Sequence, residues 1–415
     1  MSYDDFSAPS RGFAPVDDRA VFNATYEREF QPDPWVPSDD TPASKAVTPS
    51  KIFNSEKTDY ENTPLFFGQD PGLLDTVNKK HPKLMELFRN LRSLDWADNE
   101  FDFSSCVVDF QTADPASYSF MIKTLLWQWE ADSMASRSIA TILGNVVTDS
   151  ELWLNVVKIN ENENIHALTY SEIVRNSFPN PDTALKEILE IKEAMERLVA
   201  VAEIMKEAHR VSHMYALGMI EADQDAYNAI FMFMVAMYFL ERIQFMASFS
   251  VTFAICRLGK FQPIGKAVER IAQDEYEIHA QFGQEVLRHE LTTERGKLAY
   301  KHCMPKIIAL WKEVVGSELG WMDYLYEDGH ELPGYSQKKG KEWIMFNAAV
   351  PAKFLGFYDQ IEADYHFPTS NPLVFMEDYL DVSASQAAPQ EEDAAAYRVN
   401  VMKRTDDEED FEFDL

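Results

Sequence analysis

The chain is short of positive charge. It has 38 Lys and Arg against 69 Asp and Glu, a formal net charge of -31 at pH 7. A surface of that sign repels phosphate backbones and anionic membranes, so binding to nucleic acid or to a lipid surface is not expected. Cysteine is scarce as well. Cys106, Cys256 and Cys303 lie far apart and form no CxxC pair, which argues against a zinc ribbon or a thioredoxin-type motif. An odd, sparse count suits a reducing, cytoplasmic setting in which each thiol is a small buried hydrophobe. Glycine is thin, 15 in 415 residues, and no Gly-rich loop of the nucleotide-cradling kind is present. The N-terminus has no basic stretch followed by an apolar one, so a secretory signal is not expected. Long apolar runs are missing too. Residues 229–240 are wholly apolar, but Glu241, Arg242 and Gln244 separate them from 245–255, a pattern of a buried core helix rather than a membrane span.

What is present falls into three parts. Residues 1–60 are rich in Pro, Ser, Asp and Thr with poor periodicity, which predicts an extended or disordered arm. Residues 61–382 carry apolar positions at i, i+3, i+4 and i+7 in segments often beyond 20 residues, and no alternating strand pattern. That spacing predicts an all-helical bundle. Residues 383–415 form an acidic tail too poor in apolar residues to build a core. It ends in Phe411-Glu-Phe-Asp-Leu415, whose apolar side chains a purely solubilising tail does not need; a docking motif for a partner protein is expected.

The informative residues are charged ones on apolar faces, because a lone buried carboxylate is costly unless paired or bound to metal. Asp132 sits on the stripe of Leu125 and Ile139, and its competitor Glu130 lies further off it. Glu163, His166 and Tyr170 share one face of the next helix. Glu241 interrupts the core face between Met237 and Phe245, and Glu275 and His279 fall on the stripe of Ile271, Ile278 and Phe282. Each has a bland reading alone. Asp132 could be a surface residue, Glu241 could pair with Arg242, and His166 could be a satisfied core histidine. Together they match a ferritin-like bundle holding a dinuclear carboxylate site, with one acid from each of two helices and an acid–histidine pair from each of two more. Such hard donors suit iron or manganese. His209 and His213 are also spaced at i, i+4, but no Glu follows His209, so they read as surface or packing residues.

At these residues the chain resembles the radical-generating small (β) subunit of class I ribonucleotide reductase. Glu163-Asn-Ile-His166-Ala-Leu-Thr-Tyr170 is similar to the family's ligand-and-radical helix, and Asp132 precedes Glu163 by 31 residues, as the family's first aspartate ligand does. Glu241-Arg-Ile-Gln-Phe245-Met-Ala-Ser-Phe249 resembles its third ligand helix, and Gln-Asp274-Glu275 its last ligand motif. The resemblance implies metal ligation by Asp132, Glu163, His166, Glu241, Glu275 and His279, and a radical on Tyr170 inside a pocket of Phe245, Phe249 and Ile271. It further implies radical transfer through Trp96, Asp274 and Tyr397. Two iron ions are the implied cofactor, with manganese as the alternative. The implied partners are the large (α) subunit, reached through the C-terminal tail, and a second copy of the chain in a homodimer. The implied activity is ribonucleoside-diphosphate reduction. The alternative is a di-iron oxygenase or oxidase acting on its own bound substrate. One motif departs from the family's Glu-x-x-His: Glu275-Tyr-Glu-Ile-His279 is one residue longer, which a π-bulge would absorb while Glu277 points elsewhere.

Overall fold

The computed structural model describes Asn54 and residues 59–70 and 72–382. Most of the predicted arm and the whole predicted tail, with Tyr397 and the Phe-Asp-Leu end, lie outside the described residues. The described residues form an all-α fold; their only β features are the bridges Phe66–Val147 and Leu332–Tyr335.

Helix α1 spans Pro82–Ser93 and α2 Cys106–Thr112. Helix α3 runs Pro115–Leu143, started by Pro115 and by the Asp114 carboxylate accepting from the Ser117 amide. Helix α4, Ser150–Ser177, is capped by Asp149, which accepts from the amides of Glu151 and Leu152. Such a cap contributes about 1 kcal/mol, and here it fixes where the ligand face of α4 begins. The two helices pack along each other, and the chain before them is pinned across their turn by Phe67 N–H to Val146 O at 2.8 Å.

Short helices α5 (Pro181–Ile188) and α6 (Lys192–Glu196) lead to α7, Val199–Ala216. Then comes the apolar rod. Helix α8, Gln224–Phe239, continues through a π-helical turn, Leu240–Phe245, into α9, Met246–Cys256. A helix apolar all round has to be buried all round. This one is the only described helix long and apolar enough to cross a membrane, yet 94% of its most apolar window is buried inside the protein, as a core helix should be.

Helix α10, Gln262–Asp274, passes through a second π-helical turn, Glu275–His279, into α11, Ala280–Glu290. The two π turns touch. Helices α12 (Glu294–Tyr326), α13 (Gln337–Phe354), α14 (Tyr358–Ile361) and α15 (Met376–Leu380) close the fold, α12 and α13 packing on the rod and α15 on α9 and α10.

Candidate metal centre

Four elements aim side chains at one buried point. Asp132 comes from α3, Glu163 and His166 from successive turns of α4, Glu241 from the first π turn, and Glu275 and His279 from the second. All six are between 0 and 3% exposed. Their donor atoms fall into two groups, each within 4.8 Å: Asp132, Glu163, His166 and Glu275, and Glu163, Glu241, Glu275 and His279. Glu163 and Glu275 belong to both.

The lengthened motif thus resolves as a π turn. Its wider loop takes up the extra residue, so Glu275 and His279 at i, i+4 share a face as i, i+3 residues do in an α-helix. Glu277 belongs to neither group and instead accepts from Gln281 Nε2 at 3.2 Å. Glu130 is outside them too. So are His209 and His213, whose rings rest against each other at 4.1 Å with His209 exposed. Arg242 does not neutralise Glu241. Its guanidinium lies 4.9 Å from the Tyr276 ring and donates to Asn347.

The donor chemistry fits a pair of divalent cations. Both oxygens of Asp132, Glu163 and Glu241, together with Glu275 Oε2 and His279 Nδ1, have no hydrogen-bond partner among the described residues. His279 Nδ1 lies 3.1 Å from Glu163 Oε1 and 2.6 Å from Glu275 Oε2, but without hydrogen-bond angles. Atoms that approach this closely with lone pairs unshared face a common centre rather than one another. Four ionised carboxylates would be cancelled by two divalent cations with both imidazoles neutral.

Protons are what the residues take up when left to themselves. Burial, then Glu163, pushes Asp132 well above the usual carboxylate range; burial, then Glu275, raises Glu163 and Glu241. Burial would raise Glu275 as well, but His279 and His166 overcome it and hold the carboxyl low. Burial opposes a charge on His279, yet Glu275 and Glu163 carry it up to about 10. His166 also rises well above its ordinary value against burial, through Asp274 and Glu275. Cations reverse this logic by favouring ionised acids and neutral imidazoles.

Tyr170 projects from α4 one turn beyond His166. It is 1% exposed, and its hydroxyl has no hydrogen-bond partner among the described residues. Burial, then the charges of Asp132, Glu275 and Glu163, raises the phenol well above its usual range, which places it beside the cluster. Phe245, Phe249 and Ile271 are fully buried in the same core, with the two phenylalanine rings stacked at 5.5 Å.

On another side of the cluster, Trp96 Nε1 donates to Asp274 Oδ2 at 2.9 Å, and that oxygen lies 3.2 Å from His166 Nε2. The Trp96 and His166 rings stack 5.8 Å apart at 15°. Sequence reasoning missed Asn162. Its amide donates to Asp274 Oδ2 at 3.1 Å, and its oxygen lies 2.9 Å from His279 Nε2, tying Asp274 to the second acid–histidine pair. The signal was there: Asn162 is one turn before His166 on the same face.

A bundle with a buried acid–histidine pair from each of two helices and single acids from two more is a ferritin-like dinuclear fold. This chain belongs to the ribonucleotide reductase small chain family, whose profile matches residues 74–372. It is 24% identical over 367 residues to the ribonucleoside-diphosphate reductase subunit beta of Buchnera aphidicola from Schizaphis graminum, covering 85% of this chain and 95% of the relative. The subunit beta of phage T4 is 25% identical over 374 residues, covering 84% and 95% respectively. The ribonucleotide reductase R2 subunit from Clostridium botulinum shares the fold with a TM-score of 0.65 at 17% identity, over 81% of this chain and all of that one.

Proposed function

We propose that this chain is the radical-generating small subunit of class I ribonucleoside-diphosphate reductase, working with a large catalytic subunit. Asp132, Glu163, His166, Glu241, Glu275 and His279 hold two metal ions, iron in the first instance and manganese as the alternative. When bound, the ions supply one-electron oxidising power drawn from oxygen.

The chain's own residues do the rest. Tyr170 would give up one electron to the oxidised metal site and its phenolic proton to an acceptor in that site, and so become the radical. Its burial keeps water and reductants away, with Phe245, Phe249 and Ile271 as the apolar wall. Asp274 holds the Trp96 indole by its N–H and offers that proton an acceptor, while Asn162 fixes the carboxylate. The tail, through Tyr397 and the Phe-Asp-Leu end, carries the oxidising equivalent to the catalytic subunit. The observation that carries this reading is the file of Trp96, Asp274 and His166 running into the acid cluster that Tyr170 borders. An oxidase acting on its own bound substrate has less support, because the relatives described above are reductase β subunits. The buried, unpaired Cys106, Cys256 and Cys303 are in keeping with a cytoplasmic protein, and a homodimer is the expected assembly.

The test is turnover with the large subunit. The full chain should support deoxyribonucleotide formation, and removal of residues from Tyr397 onward should abolish it while leaving the radical signal unchanged. Turnover retained without the tail would refute the tail's role.

A further inference from the structure

Three tryptophans stand near the site in opposite electrostatic settings. Trp96 has a carboxylate at its Nε1. Trp127 and Trp321 have a cation at their faces. The Arg197 guanidinium lies over both, its carbon 3.9 Å from the Trp127 ring centre and 4.6 Å from that of Trp321. Arg197 is 2% exposed and is held by Glu318, with Nε to Oε1 at 3.0 Å and Nη2 to Oε2 at 2.6 Å. Gln244, inside the π turn that carries Glu241, donates to Glu318 Oε1 at 3.0 Å. Neither Trp127 Nε1 nor Trp321 Nε1 has a hydrogen-bond acceptor among the described residues.

These rings form a file. Trp127 meets Phe245 at 5.2 Å, and Trp321 meets Tyr324 at 5.4 Å. Tyr324 is half-buried, and the Lys123 ammonium sits 3.9 Å from its ring centre. Trp127 thus touches the proposed apolar wall at Phe245, and Arg197 links it to Trp321 and the half-buried Tyr324.

We infer that Arg197 is an electrostatic insulator, which keeps the oxidising equivalent generated at the metal site, whether or not it rests on Tyr170, off Trp127 and Trp321 and so commits it to Trp96. The inference rests on the reductase reading above. Oxidation of Trp96 sends one electron to the Tyr170 phenoxyl, which takes back its proton from the acceptor in the metal site to become tyrosine again, since burial and the nearby acids disfavour the tyrosinate, and breaks the indole N–H as its proton joins the Asp274 carboxylate. The same step at Trp127 has nowhere to put the proton, and the positive charge left on the ring would face a guanidinium in a low-dielectric interior. Glu318 does not undo this, because its oxygens sit at Nε and Nη2 while the guanidinium carbon lies within 4.6 Å of both indole ring centres. A structural fastener alone would need the ion pair but not two indoles set against the guanidinium.

The test maps oxidised tryptophans by peptide mass spectrometry. In the Tyr170→Phe variant, loaded with iron(II) and exposed to air, Trp96 should be oxidised at least tenfold more than Trp127. Adding Arg197→Met with Glu318→Gln, which removes both charges and keeps the Gln244 acceptor, should raise Trp127 oxidation at least tenfold. Arg197→Lys should leave Trp127 protected. Trp127 oxidised as heavily as Trp96 with Arg197 intact overturns the inference without any change to the ion pair. A folded charge-free variant with Trp127 still silent overturns it too. A second arm exposes metal-free protein to flash-generated sulfate radical and compares Trp127 oxidation with and without the ion pair. A rise there, in a protein with neither metal nor Tyr170 radical, supports the insulator whether or not the reductase reading holds, and equal oxidation with and without the ion pair overturns it.

Discussion

Replacing Glu275 by glutamine should weaken both cation positions, whereas replacing Glu241 should weaken one. Glu275 and Glu163 lie in both donor groups, Glu241 and His279 in one, Asp132 and His166 in the other. Glutamine keeps the shape and removes the charge. Two unit charges about 4 Å apart interact by about 4 kcal/mol at an effective dielectric of about 20, and a divalent ion doubles that. Water or a neighbouring carboxylate makes good part of the loss. About 3 kcal/mol remains, roughly a 100-fold drop in affinity. The assay is anaerobic titration with manganese(II), following free ion by spin resonance. Glu241→Gln should keep one position near the unsubstituted affinity and lose about 100-fold at the other; Glu275→Gln should lose about 100-fold at both. Glu277→Gln should change neither by more than about twofold, since that side chain is outside both groups. Metal-free stability should split the same pair in opposite directions. Glu241 is a carboxyl raised by burial and by Glu275, so neutralising it relieves strain; Glu275 is held low by two histidines, so neutralising it strands them. Each change should be about 1–3 kcal/mol, a shift of a few degrees in Tm. A Glu275→Gln protein that binds one manganese at the unsubstituted affinity would refute the shared role.

Asn162→Leu should fold but lose about 10- to 100-fold in cation affinity, because the Asp274 and His279 contacts that orient the donors go with it; calorimetry checks this, and unchanged affinity would refute the bridge. Burial pushes the Glu290 carboxyl up to about 7, with Tyr227 donating to it. A folded value above the unfolded 4.5 gives a contribution fully present below pH 4.5 and lost as pH rises toward about 7. At about 1.4 kcal/mol per pH unit the loss is about 3 kcal/mol. Glu290→Gln should therefore flatten the fall in Tm between pH 5 and 8 in scanning calorimetry, and an unaltered slope would refute the assignment.

Much of the site was legible because burying charge is costly and helical spacing exposes it. Asp132 rather than Glu130 followed from the stripe of Leu125 and Ile139. The second π turn was legible because Glu275 to His279 miscounts by one residue. The first π turn, Leu240–Phe245, leaves no such mark, since only one ligand comes from it and no spacing is disturbed. Asn162 went unread because a neutral amide on a polar helix raises no alarm. Arg197 and Glu318 are 121 positions apart, and no local pattern links them; only packing against Trp127 and Trp321 brings the pair together. Tyr397 and the tail were read from composition and resemblance, and they lie outside the described residues.

The central proposal is that metal ions held by the acid cluster oxidise the tyrosine beside it. The most direct measurement is the optical and spin-resonance spectrum of the iron-loaded, aerated protein, taken beside Tyr170→Phe. A sharp tyrosyl band and a radical resonance are expected in the first and neither in the second, with metal bands in both. Metal bands without any radical in the unsubstituted chain, or a tyrosyl signal that survives Tyr170→Phe, would contradict it.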